Sequence, residues 1–231
     1  MPGRSVLTRQ GRADRATAFI RAHTTLTAPP LLPELRLHLA AEPISLWQQI
    51  EHETGRHEPV PFWAFPWAGG TALARYLLDF PGRVAGRTVL DMAAGSGLVA
   101  IAAARAGAPA VLASEIDPLA ATAIAVNAAA NGVTIQLVPG DLLAADAPAA
   151  DAPAADLIVV GDACYEKLLA GRLMSFLSRA RAAGAQVLIG DPGRAYLPQG
   201  AALQAVARYA VPTWPGLEDA PVKETVVWQL R

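Results

Sequence analysis

The chain has 231 residues, 53% of them apolar, and a formal net charge of −1. That length and composition suit one domain, or one domain with an N-terminal extension, and the balanced charge gives no electrostatic case for a nucleic-acid partner. The single cysteine, Cys164, excludes an internal disulfide framework and a cysteine-rich metal site. His23, His38, His52 and His57 lack ligand spacing, so no metal is expected, and no unbroken apolar run is long enough for a membrane span.

Taken in order, the first 24 residues carry five arginines against one acid, Asp14. Such a composition fits a mitochondrial presequence. Ala16, Phe19 and Ile20 share one face over 14–23, which favours a short docked helix, and Pro29-Pro30 stops any continuation. Leu35, Leu37 and Leu39 alternate with Arg36 and His38 as in a half-buried strand or arm. Ser45 is placed to cap a helix through Glu53 that carries Trp47 and Ile50. Residues 1–60 therefore read as an extension of helix, arm and helix, and 61–231 as the main domain.

Phe62-Trp-Ala-Phe-Pro-Trp-Ala-Gly-Gly70 opens a helix to about Phe80 with an apolar stripe of Leu73, Tyr76, Leu77 and Phe80. Trp63 and Trp67 read equally as core packing or as a lid of rings over a flat or cationic ligand. From Arg87 onward, strands are expected near 88–92, 110–115, 133–138, 156–161, 185–190, 207–213 and 223–230, with helices near 97–106, 118–131, 165–182 and 199–206. That alternation is an α/β fold, a doubly wound Rossmann-like seven-stranded sheet. Its last strand follows without an intervening helix, so it must enter antiparallel beside its predecessor. The tandem repeat over 146–156 is too polar and proline-rich to pack and reads as a mobile loop without chemistry.

The chain is organised around Thr88-Val-Leu-Asp-Met-Ala-Ala-Gly-Ser-Gly-Leu-Val-Ala100. A buried strand, a turn at Gly95 and Gly97, and a helix N-terminus make a nucleotide site, because glycines let backbone approach a ligand and free N–H groups face an anion. A dinucleotide would place its pyrophosphate near Asp91, which would repel it. S-adenosylmethionine carries an ammonium, a sulfonium and one carboxylate, so Asp91 can face the cationic end. Glu115, about twenty residues past the turn, can hold both ribose hydroxyls of either ligand. The residues favour S-adenosylmethionine over NAD, with a turn that binds nothing as the third reading.

Ligands in such sheets lie beyond the carboxyl ends of the strands. That rule adds Asp141, which reads equally as a turn residue, and Gly161-Asp-Ala-Cys-Tyr-Glu166 directly after Leu157-Ile-Val-Val160. Asp162 can hold and orient an amine, and Tyr165 can add a hydroxyl or an aromatic face. Cys164 reads as a small buried apolar residue. Asp191 and Arg194 follow the fifth strand, at a rim where a protein could dock.

Val89-Leu-Asp-Met-Ala-Ala-Gly-Ser-Gly97 resembles the first motif of class I S-adenosylmethionine-dependent methyltransferases, departing at Ala93, where glycine is common. Pro61-Phe-Trp-Ala, Trp67-Ala-Gly-Gly, Ala72-Leu-Ala-Arg-Tyr76, Glu115-Ile-Asp-Pro118, Gly161-Asp-Ala-Cys-Tyr-Glu166 and Ile189-Gly-Asp-Pro-Gly-Arg194 together resemble the electron transfer flavoprotein β-subunit lysine methyltransferases, from about Phe19 to Leu197. Glu115 and Cys164 depart from the usual Asp and Phe. The resemblance implies a protein-lysine N-methyltransferase that converts S-adenosylmethionine to S-adenosylhomocysteine without a metal. It places Trp67, Asp91, Ala93, Gly95, Gly97, Glu115 and Asp141 at the cofactor, Asp141 on the adenine amino group, and Asp162 and Tyr165 at the reaction centre. Trp63, Glu166, Asp191 and Arg194 then face the substrate, the β subunit of electron transfer flavoprotein. A monomer in a bacterial cytoplasm is expected, with the mitochondrial matrix as the alternative setting. A small-molecule N-methyltransferase acting on a nicotinamide-like amine and a non-catalytic S-adenosylmethionine sensor are the competing readings.

Overall fold

Val89-Leu90 and Leu157-Ile-Val-Val160 are continuous apolar runs, the pattern of strands covered on both faces. They form β3 (Thr88–Met92) and β6 (Leu157–Gly161), the adjacent central strands of the sheet. The computed structural model describes residues 9–144, 154–214 and 218–231. Around β3 and β6 lie β4 (Ala110–Ser114), β5 (Gln136–Val138), β7 (Gln186–Asp191), β8 (Leu203–Pro212) and β9 (Val222–Leu230), in the order β5-β4-β3-β6-β7-β9-β8. The β5/β4, β4/β3, β3/β6 and β6/β7 pairs are parallel. β9 inserts between β7 and β8 and runs antiparallel to both, so the one reversed strand falls where it was expected.

Helices α3 (Ala68–Asp79), α4 (Leu98–Arg105), α5 (Pro118–Ala130) and α6 (Lys167–Ala182) flank the sheet. Strands leave β3 toward β4 on one side and β6 toward β7 on the other. Their connections part there and leave a crevice at the carboxyl ends.

Residues 199–206 are not a helix. A turn at Gly200 leads into β8, which pairs with β9 along its length, with a register shift between Ala205 and Ala207. The alanines favour helix locally, but a ladder of inter-strand bonds outweighs that weak preference.

The extension holds α1 (Arg9–His23), an antiparallel pair β1 (Thr25–Thr27) and β2 (Leu37–Leu39), and α2 (Pro43–Thr54). Ser45 does not cap α2. The helix starts two residues earlier, at Pro43, whose fixed φ suits the first turn. Ile20, Leu46 and Ile50 are buried together with Trp63, Phe65, Ala120 and Ala123, while Leu32, Leu35, Leu37 and Leu39 pack on Leu98, Ile101 and Ala102 of α4. The described part of the extension thus shares its core with the sheet domain. Of the stripe on α3, Leu73, Tyr76 and Leu77 are buried, and Phe80 is exposed just past the helix end. The repeat at 146–156 lies, but for 154–156, outside the described residues.

One packing feature positions the site. A Cβ built at Gly190 would lie 2.1 Å from the Gly69 carbonyl oxygen, and one at Gly161 would lie 2.7 Å from the Gly70 Cα. Four glycines therefore let the first turn of α3 rest directly on β6 and β7. Glycine inside a strand marks such a close backbone approach.

Candidate functional site

A cavity of about 740 Å³ opens at the carboxyl ends of β3, β4 and β6, a size usual for small-molecule and cofactor sites. Its floor is the turn after β3. Ala93, Gly95 and Gly97 all have left-handed φ, +52°, +52° and +78°. Glycine meets that demand at two of them; Ala93 does so against its own Cβ, so the alanine is a strained choice. At Gly97 a side chain would also press on Ile124 at 3.2 Å.

Asp91 is 1% exposed and accepts a hydrogen bond from the Ala100 amide at 2.9 Å, in the first turn of α4. Burial, with a smaller contribution from the Glu115 charge, pushes its carboxyl up to about 8. Glu115, just past β4, accepts from the amides of Gly95 (2.9 Å), Ile116 (2.7 Å) and Asp117 (3.1 Å). These bonds tie the β4 loop to the glycine turn.

The walls come from two places. Ile50, Thr54, Arg56 and residues 58 to 61 line one side, a contribution of the extension with no sequence signal beyond its turn-rich composition. Trp63 is 1% exposed and packs in the core beside the cavity, so it is no movable lid. Its neighbours supply the open face: Phe62 is 40% and Tyr165 47% exposed. Their ring centroids lie 5.3 Å apart, and Phe62 lies 5.6 Å from Trp67. The Trp67 indole donates to the Phe62 carbonyl at 2.8 Å.

At this end sits Asp162, buried and at φ +55°. One carboxylate oxygen accepts from the Gly70 amide at 2.8 Å, a third-residue donor of α3 left free by the helix start. The other accepts from Arg194 Nε (3.1 Å) and Nη2 (2.8 Å). Burial pushes Asp162 up to about 6 against the opposing pull of Arg194 and Gly70. Arg194 also donates to Glu218 at 2.6 and 3.3 Å, and its guanidinium carbon lies 5.5 Å from the Trp67 ring centroid. It is therefore an inward-facing group, not a free docking residue at the rim. Neither the Gly70 amide nor Glu218 was singled out from sequence. The paired glycines in the first turn of α3 were a signal for the first; Glu218 in a proline-bearing connection had none.

Three sequence-singled acids stand elsewhere. Asp191 is 0% exposed. It accepts from the Gly193 and Arg194 amides at 2.7 and 2.6 Å, fixing that turn from beneath rather than offering a surface. Glu166 is exposed and caps α6 by accepting from Leu168 and Leu169. Asp141 is exposed, accepts from the Leu143 amide at 2.8 Å, and does not line the cavity. Cys164 is fully buried, its thiol pushed up to about 12, first by burial and then by Asp191 and Asp162. Among the described residues no cluster of three or more His, Cys, Asp or Glu is placed to hold a metal ion, and no helix is long and apolar enough to cross a membrane.

A family model described as ribosomal protein L11 methyltransferase (PrmA) matches residues 71–180. A solved structure of a candidate RNA methyltransferase from Pyrococcus horikoshii superposes with a TM-score of 0.53 over 75% of this chain and 90% of its own, at 14% identity, which shows the fold alone. Strand order, cavity and family model together define the class, an S-adenosylmethionine-dependent methyltransferase of the seven-strand fold. The chain is 39% identical over 218 residues to the electron transfer flavoprotein β-subunit lysine methyltransferase of Xenopus laevis, across 93% of this chain and 86% of that one. It is 35% identical over 222 residues to the Rattus norvegicus protein of the same name, across 93% and 84%. The chain belongs to this family of protein-lysine methyltransferases.

Proposed function

We propose that the protein methylates a lysine side chain on the β subunit of electron transfer flavoprotein. The observation that carries the chemistry is Asp162, a buried carboxylate in a cavity whose solvent-facing wall is the packed ring pair of Phe62 and Tyr165. An open rim admits a residue projecting from a protein surface. The choice of protein rests on the relatives that this chain matches over most of its length.

The residues present suit S-adenosylmethionine. The cavity has ample room, the turn at Ala93, Gly95 and Gly97 exposes backbone, and Asp91 and Glu115 supply carboxyl groups at its floor. Bound there, it supplies a methyl group made electrophilic by the sulfonium. Asp91 is assigned to the ammonium, Glu115 to the ribose hydroxyls and Trp67 to the aromatic wall. Asp141 is assigned to the adenine amino group, through the carboxylate oxygen that the Leu143 amide does not engage. Trp63, Asp191 and Glu166 support the site from behind by packing, turn fixing and helix capping.

A lysine enters as an ammonium and must lose a proton before it can attack. The aromatic faces and Asp162 hold the ammonium as it enters, while desolvation at the inner end of the cavity and the nearby Arg194 charge ease the loss of its proton. Asp162, titrating at about 6, is ionised at neutral pH yet basic enough to draw on that proton. Tyr165 lines the path as an aromatic face and hydroxyl. A monomer without metal, working in the bacterial cytoplasm or alternatively the matrix, completes the proposal.

The test mixes purified flavoprotein, S-adenosylmethionine and enzyme and reads the intact mass of the β subunit. One or more methyl increments are expected; an unshifted β subunit beside a methylated small amine would move the assignment to small molecules. Asp162→Ala should keep cofactor affinity within a few-fold and lower turnover about a hundred-fold or more. Because the ionised carboxylate is the working form, kcat/KM for the acceptor at saturating S-adenosylmethionine should hold above pH about 6 and fall below it.

A further inference from the structure

Arg194 occupies the place an acceptor cation would need. Its guanidinium meets the Asp162 carboxylate through two donors and stands over the Trp67 ring. A buried carboxylate and an aromatic face are the two features that hold an alkylammonium. The same guanidinium keeps a second partner, Glu218, whose side chain is as buried as that of Asp162. Two carboxylates against one guanidinium leave one negative charge, and an entering ammonium closes that balance. The backbone beneath cannot move with the side chain, because Asp191 fixes the Gly193 and Arg194 amides. The long arginine stem is the mobile part.

We propose that Arg194 is a built-in stand-in for the acceptor ammonium: in the free enzyme it fills the subsite between Asp162 and the Trp67 ring, and it withdraws onto Glu218 alone when a lysine enters. This rests on Asp162 being the group that receives the acceptor. The arrangement has two consequences. The buried Asp162 charge is never left unpaired between turnovers. An acceptor must also displace a cation from a carboxylate, which an alkylammonium can do and a neutral amine cannot. Arg194 and Glu218 thereby select lysine-like acceptors and reject neutral nicotinamide-like ones.

The pair of variants to make is Glu218→Gln and Arg194→Gln, in the full-length chain, probed with n-butylammonium in the presence of S-adenosylhomocysteine by titration calorimetry. Removing the stand-in should tighten n-butylammonium binding about tenfold or more if the vacated subsite is populated a tenth of the time or less in the parent. Removing the waiting partner should weaken it by a similar factor, since Arg194 then has only Asp162. In turnover with the flavoprotein, Glu218→Gln should raise KM for the acceptor with little change in kcat. Added guanidinium ion at non-denaturing concentration should compete with the acceptor in Arg194→Gln but not in the parent. The proposal is overturned if Glu218→Gln binds n-butylammonium as the parent does, or if it lowers kcat at unchanged KM, which would make the arginine an aligner of Asp162. Glutamine at 218 is isosteric, so folding is preserved where the arginine variant fails. Full turnover in Asp162→Ala would instead refute the underlying acceptor assignment, and absence of flavoprotein methylation would refute only the choice of substrate.

Discussion

Gly190→Ala tests whether the glycine contact between α3 and the sheet positions the acceptor end of the site. The new Cβ would lie 2.1 Å from the Gly69 carbonyl oxygen and 2.8 Å from the Leu73 Cβ, both on α3. Ordinary contact begins near 3.4 Å, so the helix start must retreat by about 1 Å. Overpacking of this kind costs about 1–3 kcal/mol. The retreat also pulls the Gly70 amide from Asp162, now at 2.8 Å, and a hydrogen bond to a buried charge contributes about 1.5–3 kcal/mol. The two losses share one movement, so a total near 3 kcal/mol is expected, a large part of the roughly 5–15 kcal/mol that holds a domain together. Urea unfolding with an unchanged m-value measures it. Turnover should fall further than the folded fraction explains, because Asp162 loses a fixed donor. Gly171→Ala is the control: it lies within α6 with nothing within 4 Å of its Cβ, and it should stabilise by about 0.5–1 kcal/mol. A Gly190→Ala protein within about 0.5 kcal/mol of the parent and fully active would refute the reasoning.

Three residues on the floor of the cavity supply the further outcomes. Ala93→Gly removes a left-handed alanine. That strain is about 1–2 kcal/mol, against about 0.5–1 kcal/mol of extra glycine entropy, so melting should rise slightly at unchanged activity. Asp91, held neutral to about pH 8, must lose its proton to meet a cation, so S-adenosylmethionine affinity should increase with pH by at most about tenfold per unit and level off above 8; calorimetry on Asp91→Asn should show no such slope. In the ligand-free protein a folded pKa above the unfolded 3.8 makes the stability that Asp91 contributes full below that value and progressively lost as pH rises to about 8, a decline that Asp91→Asn should flatten in melting curves. Glu115→Ala removes the acceptor of three amides and the proposed ribose contact; cofactor affinity should drop about ten- to a hundred-fold, and an unchanged Kd would take Glu115 out of the site.

The parts of the fold that local signals encode were legible along the chain. Periodicity placed β3, β4, β6 and β7 within a residue or two, and the glycines at 95 and 97 marked the turn because left-handed φ is a property of a single residue. The missing helix before β9 was enough to predict its reversal, since a short connection cannot cross the sheet. Tertiary structure decided the rest. Residues 203–206 have the composition of a helix and became strand, because β9 was there to pair with them. Asp91, Asp141, Asp162 and Asp191 are alike in sequence, each an acid at or just past a strand end. The fold buries Asp91 and Asp191, leaves Asp141 on the surface, and brings Asp162 against Gly70, which precedes it by 92 residues, and Arg194, which follows it by 32. Charge state and partner are set by which distant segments exclude water from a carboxylate, and sequence spacing carries no record of that.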